Sequence, residues 1–171
     1  MTIASAGPAS SPHIAIEAIK HASGADISFV PYQGSTPAVN ALLGGHITAA
    51  MASYPNLAEL VTSGKLRAIA TASATRIAPM SDVPTVAESG FKDFEADIWF
   101  GLVAPAKTPG DVLTQLAEWF TAALKDPEVA PKLAAQGLFP VGACGTALSA
   151  FTTKQYQDYG RAIRDAGIKA Q

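Results

Sequence analysis

The sequence predicts an α/β protein built on a parallel-rich sheet with helices on both faces. Short apolar runs alternate with helical patterns in a β-α-β-α-β order through residues 1–90. The connections are long enough to hold the helical crossovers that parallel strands require. Glycine, proline or serine clusters punctuate the junctions, as they do where a chain turns between such elements.

A short strand at the start runs into ASAGPASSPH (4–13), with three serines, two prolines and a histidine, and an apolar helical pattern follows. ISFVPY (27–32) is rich in strand formers. Gly34-Ser35-Thr36-Pro37 then starts a helix, with Ser35 or Thr36 as cap and Pro37 in the first turn; Gly44-Gly45 stops it. ITAAMAS (47–53) reads as a small-residue strand, and Pro55-Asn56 opens a helix ending at Gly64. LRAIATAS (66–73) reads as a buried strand and TVAESG (85–90) as a short helix.

From residue 94 the elements lengthen. Ile98 to Val103 reads as a longer strand closed by Pro105 and Pro109. In 110–126, Val112, Leu116, Trp119, Phe120, Ala123 and Leu124 fall on one helical stripe, which Asp126-Pro127 breaks. PEVAPKLAAQG (127–137) is a second, short helix, LFPVGA (138–143) a short strand, and 145–167 a long final helix. There is no internal repeat and no low-complexity linker.

With 171 residues the chain suffices for one domain or two small lobes. A net charge of −2 without a basic stripe argues against nucleic acid. No apolar run approaches a membrane span. No positive region with an apolar core marks a signal peptide at the N-terminus, so cytoplasmic residence stays open. Cys144 is the single cysteine, which excludes an internal disulfide and a cysteine-based metal cluster.

Catalytic chemistry is not legible. His13, His21 and His46 are scattered, with His21 expected on the solvent side of a helix end. No HExxH, GxSxG, GxGxxG or Walker pattern occurs. An enzyme, a metal site and a cofactor are therefore not expected. The strand-to-helix loops stand out instead. ASAGPASSPH, YQGSTP and MASYPN each present small residues and hydroxyls at a helix start, where unpaired backbone N–H groups favour an anion. In a parallel sheet all three lie at strand carboxyl ends, where ligands of open α/β sheets bind. The plainer role of Ser11, Ser35 and Thr36 is capping alone. Trp99 suits either a core or a cleft, and Tyr156 and Tyr159 suit packing.

In order, ASAGPASSPH, VPYQGSTPAVNALLGGHITAAMAS, SGKLRAIATASATRIAPMSDVPTVAESG, WFGLVAPAKTP and DPEVAPKLAAQG resemble the substrate-binding proteins of tripartite tricarboxylate transporters, the Bug or TctC family. The resemblance spans essentially the whole chain. It implies a periplasmic-binding-protein fold of type II, two α/β lobes closing on a small carboxylate: a di- or tricarboxylate, an amino acid or an aromatic acid. It implies no cofactor, periplasmic residence and delivery of the ligand to membrane permease components. The implied ligand-binding residues are Ser5, Gly7, Ser10, Ser11 and His13 of the first loop, Gly34, Ser35 and Thr36 of the second, and Ser53 and Tyr54 of the third. Many members have Asp where Ser53 stands, which removes a negative charge here.

The resemblance also implies that residues 1–97 form one complete lobe, lobe two, and that 98–171 form the crossover strand and the C-terminal helical part of lobe one. Members carry further residues before the point where this chain starts. Trp119, Phe120, Phe151 and Tyr156 then lack obvious local strands to cover. Each large side chain left in water forfeits about 1.5–3 kcal/mol, so a homodimer or a repositioned helix is expected to bury them. Two functions follow: carboxylate capture for transport, or a truncated relative serving as an oligomeric interaction or sensor module.

Overall fold

A computed structural model describes residues 1–92 and 94–168; Asp93 and residues 169–171, which the expected 1–97 and 98–171 segments include, lie outside the described residues. The elements are β1 (Thr2–Ala6), α1 (Ser11–Ser23), β2 (Ser28–Tyr32), α2 (Ser35–Leu43), β3 (Ala49–Ala50), α3 (Tyr54–Thr62), a 3-10 turn (Ala78–Met80), α4 (Gly110–Lys125), α5 (Ala130–Ala135) and α6 (Gly145–Asp165). Contacts divide the chain into two units. The first holds Met1–Ile98 with the residues from Asp158 onward, the second Trp99–Gln157.

In the first unit the strands run in the order β2-β1-β3, all parallel. The chain therefore steps one way from β1 to β2 and back past β1 to β3. With right-handed crossovers, α1 and α2 must lie on opposite faces of the sheet. The pleat agrees. Val30 packs on the cluster of Ala4, Ala38, Ala41 and Ile47 on the α2 side. Its neighbour Phe29 stacks on His13 of α1, with ring centroids 4.0 Å apart. Small residues at Ala4, Ala38 and Ala41 let α2 approach the sheet closely, while α1 buries Ile14, Ala15 and Ile16.

The helix starts differ in detail from expectation. Ser10, not Ser11, caps α1: its Oγ accepts from the His13 N–H at 3.3 Å, and Ser11 is the first helical residue. Neither Ser35 nor Thr36 caps α2. That role falls to Gly34, whose φ of +114° suits glycine, and no side chain bonds to the helix start. The helix begins one residue before a hydroxyl is placed to cap it.

Several expected strands do not form. The expected strand 47–53 reduces to Ala49–Ala50, which pair with Ile3 and Ala4 of β1. Residues 66–73 contribute a single parallel bridge, Thr71 to Thr85, and Ile69 is 73 % exposed. Its strand propensity is real, but a strand is defined by a paired neighbour, and none runs beside Leu66–Ala70 among the described residues. TVAESG makes one turn instead of a helix. Glu88 N–H donates to Thr85 Oγ1 (3.1 Å) and Thr85 N–H to Glu88 Oε2 (2.7 Å), the reciprocal pattern of a capping box with no regular helix behind it. Arg76 anchors that turn through Nε to both Glu88 oxygens and through Nη1 to the Ser81 carbonyl.

The second unit contains α4, α5 and α6 up to Gln157. Ile98–Val103 and 138–143, both expected as strands, form no strand and pair with none: Phe100 is 76 % and Val103 88 % exposed. Every buried hydrophobic residue among those described lies in the first unit. Within 99–157 the packing is local. Trp99 meets Phe151 edge-on at 5.8 Å, and Thr121 Oγ1 lies 3.9 Å from Cys144 Sγ. The apolar stripe of α4 buries nothing, and Trp119 remains 62 % exposed.

Candidate functional site

Because β1, β2 and β3 are parallel, their carboxyl ends share one edge of the sheet. Ala6 pairs with Tyr32, and the Met51 N–H donates to the Ala4 carbonyl at 2.8 Å. This register brings Gly7–Ser10, Gly34–Ser35 and Ser53–Tyr54 to that edge. Gly7 sits beside the end of β2, where an added Cβ would lie 4.0 Å from the Tyr32 carbonyl oxygen. The connection from β1 runs one way to β2 and the connection from β2 returns past β1 to β3, so the chain reverses beside β1. Such a switch point leaves a crevice at the strand ends.

The first loop is held from within. The Ser10 hydroxyl donates to the Ala6 carbonyl at 2.7 Å and caps α1. Ser5 is fully buried and its hydroxyl donates to the same carbonyl at 3.0 Å. Ala9 is the one non-glycine residue with positive φ, +59°, among those described. Its N–H donates to His13 Nδ1 at 3.0 Å. His13 thus contributes its ring to loop geometry, stacked on Phe29 and with Nε2 3.9 Å from Glu17. Burial, more than the pull of Glu17, holds the His13 pKa below its ordinary 6.5. Ser5, Ser10 and His13 therefore frame the loop with their side chains, while Gly7 and Ser11 lie along the sheet edge.

The second loop is more open. Gly34 and Ser35 are half-buried and Thr36 exposed, and the first N–H groups of α2 have neither an intrahelical acceptor nor a side-chain cap. In the third, Ser53 is the exposed N-cap of α3, and its side chain makes no bond to the helix backbone. Its Oγ accepts from Asn56 Nδ2 at 2.7 Å, and Tyr54 is half-buried. No lysine or arginine stands in any of the three loops. The positive potential at this edge comes from helix starts and backbone amides.

Sequence reasoning missed Tyr159. Although α6 reads as a packing helix, the Tyr159 hydroxyl donates to the Asp97 carbonyl at 3.1 Å and is hydrogen-bonded to the Ser11 side chain at the start of α1. Burial first, and Asp97 second, raise its pKa. Burial, reinforced by Glu95, also raises that of Asp97. No periodicity connects residues 62 positions apart, so only the fold reveals this contact. His21 is exposed, as expected. Among the described residues, no group of three or more His, Cys, Asp or Glu side chains is placed to hold a metal, and no helix is long and apolar enough to cross a membrane.

A parallel sheet that reverses and gathers three helix starts on one edge is the arrangement of a ligand-binding α/β lobe. The chain belongs to the tripartite tricarboxylate transporter receptor family, TctC, whose profile matches residues 1–168. It is 36 % identical over 160 residues to protein BugT of Bordetella pertussis, covering 94 % of this chain and 49 % of that protein. A UPF0065 protein from the clcB-clcD intergenic region of Pseudomonas knackmussii is 31 % identical over 159 residues, covering 92 % of this chain and 94 % of that one. Among solved structures, a ligand-free TctC solute-binding protein from Polaromonas superposes with a TM-score of 0.81 at 27 % identity, over 95 % of this chain and 56 % of its own. An R. palustris protein solved with adipate gives 0.80 at 28 %, over 98 % and 56 %. The periplasmic binding protein BugD gives 0.73 at 31 %, over 100 % and 58 %. The chain thus spans about half the length of most relatives it matches, though nearly all of the P. knackmussii protein.

Proposed function

We propose that this chain provides one face of a periplasmic carboxylate-binding site and acts as a non-enzymatic receptor that presents its ligand to tripartite permease components. The observation that carries this reading is the alignment of three helix starts on one sheet edge, with the start of α2 left open by Gly34. Ser11, Gly34, Ser35, Thr36, Ser53 and Tyr54 are the residues that meet the ligand. Gly7 supplies close backbone approach, and Ser5, Ser10 and His13 hold the loop that offers it. A dicarboxylate fits an edge whose positive potential comes from amide dipoles. Adipate in a relative of 28 % identity supports that chemical class. Adipate added to the 171-residue chain is expected to raise the melting midpoint with saturation, since it binds only the folded state. No shift and no calorimetric heat across dicarboxylates, amino acids and aromatic acids contradicts the proposal.

A second reading, a self-associating interaction module, rests on a separate observation: residues 99–157 bury no hydrophobic side chain, and Val141 and Tyr156 are 87 % and 81 % exposed. Large apolar side chains left in water in such number suit an interface. Sedimentation is expected to show a dimer whose stability rises with concentration. A monomer across the accessible concentration range removes this reading and leaves the receptor reading untouched.

A further inference from the structure

We infer that His13 is a positioning residue whose neutral imidazole latches the first loop in its ligand-facing conformation, and that protonation of the ring releases the loop. This rests on the loop's assignment to the carboxylate site only in its last step, from latch to affinity.

Ala9 occupies the left-handed region at φ +59°, which costs an L-residue about 1–2 kcal/mol, so something must hold it there. The structure provides one acceptor for its N–H, His13 Nδ1 at 3.0 Å. An accepting Nδ1 carries no proton, so the proton of the neutral ring is on Nε2, facing Glu17 Oε1 at 3.9 Å. The imidazolium form has N–H groups at both positions and cannot accept from Ala9. Protonation therefore replaces a hydrogen bond by two opposed donors.

The surroundings set the balance. Phe29 of β2 stacks on the ring and brings no charge. On α1, Glu17 favours the imidazolium, but Lys20 Nζ lies 3.4 Å from Glu17 Oε2 and offsets it. Burial disfavours the charged ring and is the dominant influence. The latch is accordingly closed at neutral pH and opens on acidification below the ordinary histidine value. The helix that begins at Ser11 and the loop that ends at Ser10 are tied by this bond together with the Ser10 cap, so loosening Ala9 loosens the amides at the sheet edge.

The test follows Ala9 amide exchange and the His13 ring by NMR in the 171-residue chain between pH 5 and pH 8, without ligand, and then adipate affinity by calorimetry over the same range. His13→Phe keeps the stacking ring and removes the acceptor. It also reports the ligand's own titration. Ala9 protection is expected to fall about tenfold, the worth of one hydrogen bond, both on acidification of the native chain and in His13→Phe at pH 8. Adipate affinity is expected to fall with acid more steeply in the native chain than in the variant. An Ala9 amide equally protected at both pH extremes overturns the latch, even if the variant does not fold. An affinity with the same pH dependence in both chains overturns its positioning role. Loss of Ala9 protection with no binding of adipate or of the other dicarboxylates, amino acids and aromatic acids at any pH upholds the latch and overturns the carboxylate reading instead.

Discussion

Ser10 and Thr36 show how much a single hydroxyl's placement decides. Ser10 accepts from the His13 N–H and donates to Ala6, so it fixes both a helix start and the loop before it. Ser10→Ala is expected to cost about 0.5–2 kcal/mol in chemical denaturation, the usual penalty for losing an N-cap. Thr36→Ala is expected to change stability by less than about 0.5 kcal/mol, as at surface sites away from such features, because Gly34 and not Thr36 is the cap. Ala9→Gly removes the left-handed strain while giving the unfolded chain more freedom, and a net gain of roughly 0.5 kcal/mol is expected in the same measurement. These distinctions were only partly legible in the sequence. ASAGPASSPH identifies a helix start rich in capping side chains, but which serine caps depends on backbone angles that composition does not determine. The partnership of Ala9 with His13 was likewise hidden, since an i,i+4 spacing across a loop-helix junction resembles any other.

Among the elements, helices were read well and strands poorly. A helix satisfies its own backbone, so the patterns at 110–126 and 145–167 were sufficient to locate α4 and α6 almost to the residue. A strand needs a neighbour, and the residues of 66–73 and 98–103 carry strand propensity without carrying the partner. The turn at 85–90 shows the intermediate case: its capping box formed although its helix did not. Arg76, foremost, and the Thr85 N–H hold the Glu88 carboxyl below its usual range. A carboxyl with a depressed folded-state pKa contributes stability that is present above its unfolded value, 4.5, and is lost as pH falls through the lower folded value. Glu88→Gln is therefore expected to lower stability at neutral pH and to flatten its decline in acid. A pH–stability profile with an unchanged acid limb contradicts that role. The pair is solvent-exposed, so added salt should weaken the native effect.

For the molecule as a whole, the first unit has a core and the second has none among the described residues. The parallel sheet and the common edge of the three loops were legible, because βαβ order and crossover handedness leave few alternatives; the strand order that reverses at β1 was not, because it depends on which strands pair. Tyr159, from the far end of the chain, was not, because its role comes from tertiary contact with Ser11 and Asp97. We propose that a small dicarboxylate binds where these loops meet. Titration of the isotopically labelled chain with adipate, followed amide by amide in NMR spectra, tests it most directly. Saturable shifts concentrated at Gly7–Ser11, Gly34–Thr36 and Ser53–Tyr54 are expected. Unchanged spectra, or saturable shifts centred outside these three loops, would contradict it.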